Sequence, residues 1–120
     1  MYTGYLQAEP VPGGLLQVKT VKIAIAAASG AQQLVAAVSG KKIRVLMIHY
    51  ITDTATTIAL QDDAGTPVVL IGAGGYVANE GMVAAAPPGC FIGETTAGQD
   101  LDLNLGTAST VGGFVVYVEV

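Results

Sequence analysis

The chain has 120 residues, of which 52% are hydrophobic and 12% charged, with a formal net charge of −4. Freestanding domains carry about a quarter charged residues, and a chain this short hides only roughly two-thirds of the surface its unfolded form exposes. The composition therefore leaves apolar surface for a neighbour to cover, and excludes a disulfide scaffold, because Cys90 stands alone.

Residues 1–14 read as an extended N-terminal arm. Tyr2, Tyr5 and Leu6 precede Glu9-Pro10-Val11-Pro12-Gly13-Gly14, and each proline holds the residue before it away from helix. Two tyrosines on an arm are well suited to anchoring on a neighbouring subunit, since aromatic rings give large contact area with few torsions to freeze. Tyr2, Tyr5, Leu6, Pro10 and Pro12 are thus candidate partner-binding residues. No basic amino-terminal region precedes an apolar core, so no secretory signal is expected. The longest uncharged stretch, residues 23–40, contains Ser29, Gly30, Gln32, Gln33 and Ser39, which interrupt any helix apolar enough to span a bilayer.

From residue 15 onward the chain reads as one all-β domain. Leu16, Val18, Val21, Ile23 and Ile25 alternate against polar or small residues, with a bulge expected near Lys19-Thr20 where the phase slips. A turn at Ser29-Gly30 leads to a strand over 33–38, and Ser39-Gly40-Lys41 makes the next turn. Residues 42–52 are apolar on both phases, as expected of a central strand covered on both faces. A threonine-rich strand over 55–61 ends in the acidic turn Asp62-Asp63-Ala64-Gly65, and a short strand follows over 67–71. Residues 72–89, punctuated by Gly72, Gly74, Gly75, Gly81 and Pro87-Pro88, are expected to be mostly loop, with a brief strand over 76–78. Extended structure resumes over 90–95. Leu101, Leu103 and Leu105 then alternate with Asp102 and Asn104, leucines inward and polar side chains outward. After a turn region over 106–113 the chain ends in a run apolar at nearly every position. Short strands at regular spacing with turn signals predict an antiparallel β-sandwich, of which the jelly roll is the form expected at this length.

Chemistry is sparse. His49 lies inside the most hydrophobic strand, where a hydrogen-bonded, partly buried imidazole is expected rather than a general base in reach of solvent. Ser29, Ser39 and Ser109 stand outside any nucleophile elbow. Ile71-Gly72-Ala73-Gly74-Gly75-Tyr76 lacks the third glycine and the helix start that a phosphate loop needs. Asp100, Asp102 and Asn104 imitate the opening of a calcium loop, but Leu105 and Val111 hold the positions that require glycine and a bidentate glutamate. Cys90 is expected as a buried apolar thiol. No enzyme activity, metal or cofactor is expected.

The charges are lopsided, net +4 over residues 1–44 and −8 beyond. Lys41, Lys42 and Arg44 form the densest basic group and are further candidate partner-binding residues, attracting the acidic turns of a neighbouring molecule or pairing inside the fold. The net charge is negative and no aromatic residue interleaves the basic group, so nucleic acid is not expected as a partner; nor is a membrane, for want of an apolar span.

Gly40-Lys41-Lys42-Ile43-Arg44-Val45-Leu46, Leu101-Asp102-Leu103-Asn104-Leu105 and Gly112-Gly113-Phe114-Val115-Val116-Tyr117-Val118 together resemble small β-sandwich proteins of tailed bacteriophage particles. The nearest in character are capsid decoration, or cement, proteins. The resemblance implies a jelly-roll homotrimer seated on the head shell, with the major capsid protein as partner and the capsid surface of the virion as its location. An alternative expectation is a receptor- or carbohydrate-binding module of a phage tail or fibre, with exposed Tyr76 and the loops as its site.

Overall fold

The computed structural model describes residues 17–120 together with the backbone at 10–11 and 14–15. Tyr2, Tyr5, Leu6 and Pro12 lie outside the described residues. Pro10 is described by its backbone alone. The described chain is all β: β1 (Pro10–Val11), β2 (Gly14–Leu15), β3 (Lys19–Val35), β4 (Ile43–Thr52), β5 (Thr56–Asp62), β6 (Val69–Tyr76), β7 (Glu80–Ala85), β8 (Gly93–Glu94) and β9 (Leu101–Glu119). Among the described residues no helix is long and apolar enough to cross a membrane. β1 and β2 pair with each other, Pro10 opposite Leu15. The other seven strands form one antiparallel sheet.

That sheet is built on β9. Residues 111–117 of β9 lie between β3 and β4, whereas residues 101–105 lie between β3 and β5. β7 and β8 then flank β4, and β6 flanks β5. The sheet thus has two halves joined through the long β3–β9 ribbon. It curls so that their inner faces share a single core: Ile23, Ile25, Ile43, Val45, Ile48, Tyr50, Val111 and Val115 meet Ile58, Leu60, Leu101, Leu103 and Leu105. Each fully buried leucine of the β9 alternation contributes about 2 kcal/mol of transfer free energy. Across this core the Tyr50 and Tyr76 hydroxyls hydrogen-bond at 2.8 Å with their rings edge to face. The all-β antiparallel class is as the sequence indicated, and its halves are continuous through hydrogen bonds instead of being two separately bonded sheets.

Several expected turns are absent because glycine here bends strands without reversing them. β3 runs 17 residues straight through Ser29-Gly30, and β9 runs 19 residues through 106–113. The two bend together. Register slips between Ile25 and Ala28 and between Ala28 and Gly30, with Ala27 at φ 47° and Gly30 at φ 79°. The bulge therefore lies there and not at Lys19-Thr20, which pair in regular register with Tyr117 and Val116. The three-residue link from β4 to β5 is tied to the bend by Asp53, whose N–H donates to the Thr110 carbonyl at 3.0 Å and whose Oδ1 accepts from the Thr110 N–H at 2.9 Å.

β4 is the central strand expected, and its apolar character on both phases has a specific cause. Val45 pairs with Tyr117 and Met47 with Val116, leaving Leu46 as an extra residue. The bulge exchanges the faces, so Ile43 and Val45 point inward before it and Ile48, Tyr50 and Thr52 after it. Leu46 itself is buried on the opposite face with Val116 and Val118. The region expected to be loop over 72–89 holds the end of β6 and all of β7: Gly72, Gly74, Gly75 and Gly81 sit in these flanking strands, and at Gly81 the missing side chain permits close approach. A Cβ at Gly81 would lie 1.9 Å from the Tyr50 carbonyl oxygen.

Candidate partner-binding surface

Two outer faces result from the curl, and they differ. On the half formed by β5, β6 and the start of β9, the outward residues are polar or small except Val69, which lies opposite Gln61 and is exposed: Asn104 lies between Ala31 and Ala59, and Asp102 between Gln33 and Gln61. On the half formed by β4, β7 and the end of β9 they are apolar apart from Arg44 and His49. His49 stands between Val83 and Phe114, Met47 between Ala85 and Val116, and Ile51 between Gly81 and Gly112. Ile51 is 48% exposed and Val83 61%, an arrangement in which neighbouring strands present apolar side chains to solvent together. The sequence signal for this face was the double-phase apolarity of 42–52. It was legible as coverage on both sides of the strand, but not as partial coverage.

His49 is half-buried on that face. Its Nδ1 lies 3.3 Å from the Met82 carbonyl oxygen and its ring 5.7 Å from that of Phe114. This is the hydrogen-bonded imidazole expected.

The basic residues border the same half, and pairing inside the fold engages most of them. Arg44 Nε donates to Glu94 Oε2 at 2.9 Å and Lys42 Nζ to Glu94 Oε1 at 3.4 Å, while the Arg44 guanidinium lies 4.6 Å from the centre of the Phe91 ring. The hydrogen bond from Arg44, opposed by some burial and helped by Lys42, holds the Glu94 carboxyl below its ordinary range. Lys19 pairs with Glu119. Lys22 and Lys41 make no ion pair among the described residues. Acidic and basic segments also meet at one end of the sheet, since the Lys41 carbonyl accepts from the N–H of Gly98 and the Ile43 carbonyl from that of Thr95.

The acidic residues near that end behave in two ways. Asp62 is fully buried at the close of β5, where its carboxylate accepts from the N–H groups of Ala64 at 3.1 Å, Val68 at 2.8 Å and Thr96 at 2.8 Å. Burial pushes its carboxyl up, but the bonds from Thr96, Val68 and Ala64 together outweigh this and hold it below the usual range. Asp102, expected on a wet face, is instead 5% exposed. Burial first, then the charges of Asp63, Asp100 and Asp62, push its carboxyl up to about 6. Among the described residues no group of three or more histidine, cysteine, aspartate and glutamate side chains is placed to hold a metal.

Two further expectations are corrected. Cys90 is exposed, because it ends the Pro87-Pro88-Gly89 turn and donates its N–H to the Pro87 carbonyl at 3.0 Å. Tyr76 is not an exposed loop residue: it ends β6 and packs against the core with its hydroxyl on Tyr50. Comparison with protein-family models, with curated proteins and with solved structures finds no match in any of the three.

Proposed function

We propose that this chain is a structural virion protein, a capsid decoration or cement protein that binds the phage head shell as a homo-oligomer and reinforces it, without catalysis. The observation that carries this reading is the outer face of the β4, β7 and β9 half. There Ile51 and Val83 stand open beside half-buried Met47, His49 and Phe114, on a chain with half the usual charge. Such a face is stable in water when a neighbour covers it. The major capsid protein is the partner in this reading and the capsid surface the location. Three chains is the number the family resemblance implies.

Purified protein mixed with undecorated heads is expected to co-sediment with them, and a deletion of residues 1–14 to lower occupancy while leaving the β-sheet circular dichroism unchanged. Failure of the full chain to bind heads, together with binding to tails or to glycans, overturns the reading in favour of a receptor- or carbohydrate-binding module. Unchanged occupancy on deletion removes the arm from it.

A further inference from the structure

We propose that β7 is the edge through which two copies of this chain join, in an antiparallel two-fold contact that runs the sheet of one copy into that of the other. This rests on the homo-oligomer of the reading above, and not on its number of chains.

Among the described residues, three of the longer strands have one free flank: β3, β6 and β7. A free flank presents unpaired N–H and C=O groups to any other strand, and proteins ordinarily blunt it with charge, proline or bulges. β3 is blunted by Lys19 and Lys22 and by slips of register in its middle. β6 is blunted by bulges: three of its residues span two of β5 between Ile71 and Gly74, and a further slip lies between Val69 and Ile71. β7 is different. Its six residues pair with β4 one for one, Glu80 opposite Thr52 through Ala85 opposite Met47, with no slip.

The composition of β7 leaves the same flank open. Residues 81–85 are Gly, Met, Val, Ala and Ala, without charge or proline. The one acid, Glu80, is turned back on its own chain, its Oε1 accepting from the N–H of Val77 at 3.1 Å. Beyond the ladder with β4 and the contact of His49 Nδ1 with the Met82 carbonyl oxygen, no backbone group of residues 81–85 makes a hydrogen bond among the described residues.

A second copy fits this edge better than an unrelated strand does, because the segment is complementary to itself. Two antiparallel copies centred on Val83 set Val83 against Val83, Met82 against Ala84 and Gly81 against Ala85. Each bulky residue off the axis therefore meets a small one, every pair keeps its face of the sheet, and no acid faces an acid. Val83, the more exposed of the two open residues on the apolar outer face, then lies on the axis, so that face continues from one copy into the next. An assembly closed in this way has an even number of chains.

The test is sedimentation of the full chain and of Val83→Lys, Val83→Glu and, as a control on another free flank, Ala24→Lys. Each Val83 variant places a like charge against itself, so each alone is expected to sediment at half the wild-type mass, while their equimolar mixture regains that mass; Ala24→Lys keeps it throughout. The β7 amides that do not donate to β4 are expected to exchange slowly with deuterium in the assembled wild type and at least tenfold faster after dilution to the monomer. A wild-type chain that is monomeric at high concentration removes the homo-oligomer, and this contact with it. An oligomeric wild type whose mass survives both Val83 substitutions, or whose β7 amides exchange equally fast before and after dilution, overturns the β7 contact and leaves the homo-oligomer standing.

Discussion

Asp62 and Asp102 sit near one another at the same end of the sheet, yet pH acts on them in opposite directions. Asp102 has a folded-state pKa pushed up to about 6 from an ordinary 3.8. Between those values the folded chain binds a proton that the unfolded chain does not, so the fold gains stability as pH falls from above 6 toward 4 and loses it as pH rises. Asp62 and Glu94 are held below their ordinary values, and their contributions are lost as pH falls below about 4. Stability is therefore expected to peak between about pH 4 and 6, which denaturant melts across pH will read. Asp102→Asn removes the buried charge and should stabilise the protein at pH 7 by about 2 kcal/mol, flattening the slope between pH 5 and 7. Asp62→Ala leaves three N–H groups without their acceptor and should cost about 3 kcal/mol at pH 7. Equal pH profiles for wild type and Asp102→Asn would remove Asp102 from this account.

At the scale of elements, β9 is the strand on which the rest depend, since it alone pairs with β3, β4 and β5. Gly113 permits its close approach to β4: a Cβ there would lie 1.9 Å from the His49 carbonyl oxygen. Gly113→Ala must push the two backbones apart, and is expected to cost about 3 kcal/mol in equilibrium unfolding. Gly112, its neighbour, has nothing within 4 Å of such a carbon, so Gly112→Ala should fold close to normally. A similar loss in both variants would mean that propensity, and not the β9–β4 approach, sets the effect. The bulge at Leu46 belongs to this scale as well. It lets one strand supply the core with Ile43 and Val45 and then with Ile48 and Tyr50 while Leu46 is buried on the other face.

For the whole molecule, the paired ions and the apolar outer face have different consequences. Glu94 and Glu119 engage Lys42, Arg44 and Lys19 within the chain, so association driven by the apolar face should depend only weakly on salt. Mass action then makes the melting temperature rise with protein concentration, because neighbours bind the folded form and not the unfolded one. Calorimetry over a hundredfold range of concentration checks this, and a concentration-independent melt would count against a self-associating chain.

The all-β class, the central strand over 42–52 and the inward leucines of β9 were legible in the sequence, because alternation and β-branched content are local properties of consecutive residues. So was the hydrogen-bonded imidazole of His49. The Ser29-Gly30 bend, the Leu46 bulge, the continuation of β6 beyond residue 71, the strand β7, and the burial of Asp102 were decided by tertiary structure. A glycine that reverses a chain and one that bends a strand look alike until the partner strand is known, and Asp102 is covered by Gln33 and Gln61, which are distant from it in the chain. Low charge by itself determined that some outer surface would be apolar. Which strands present that surface was decided only when β4 paired with β9 on one flank and β7 on the other to make one half of a curled sheet, since the direction of every side chain follows from register and register is fixed by pairing across the sheet.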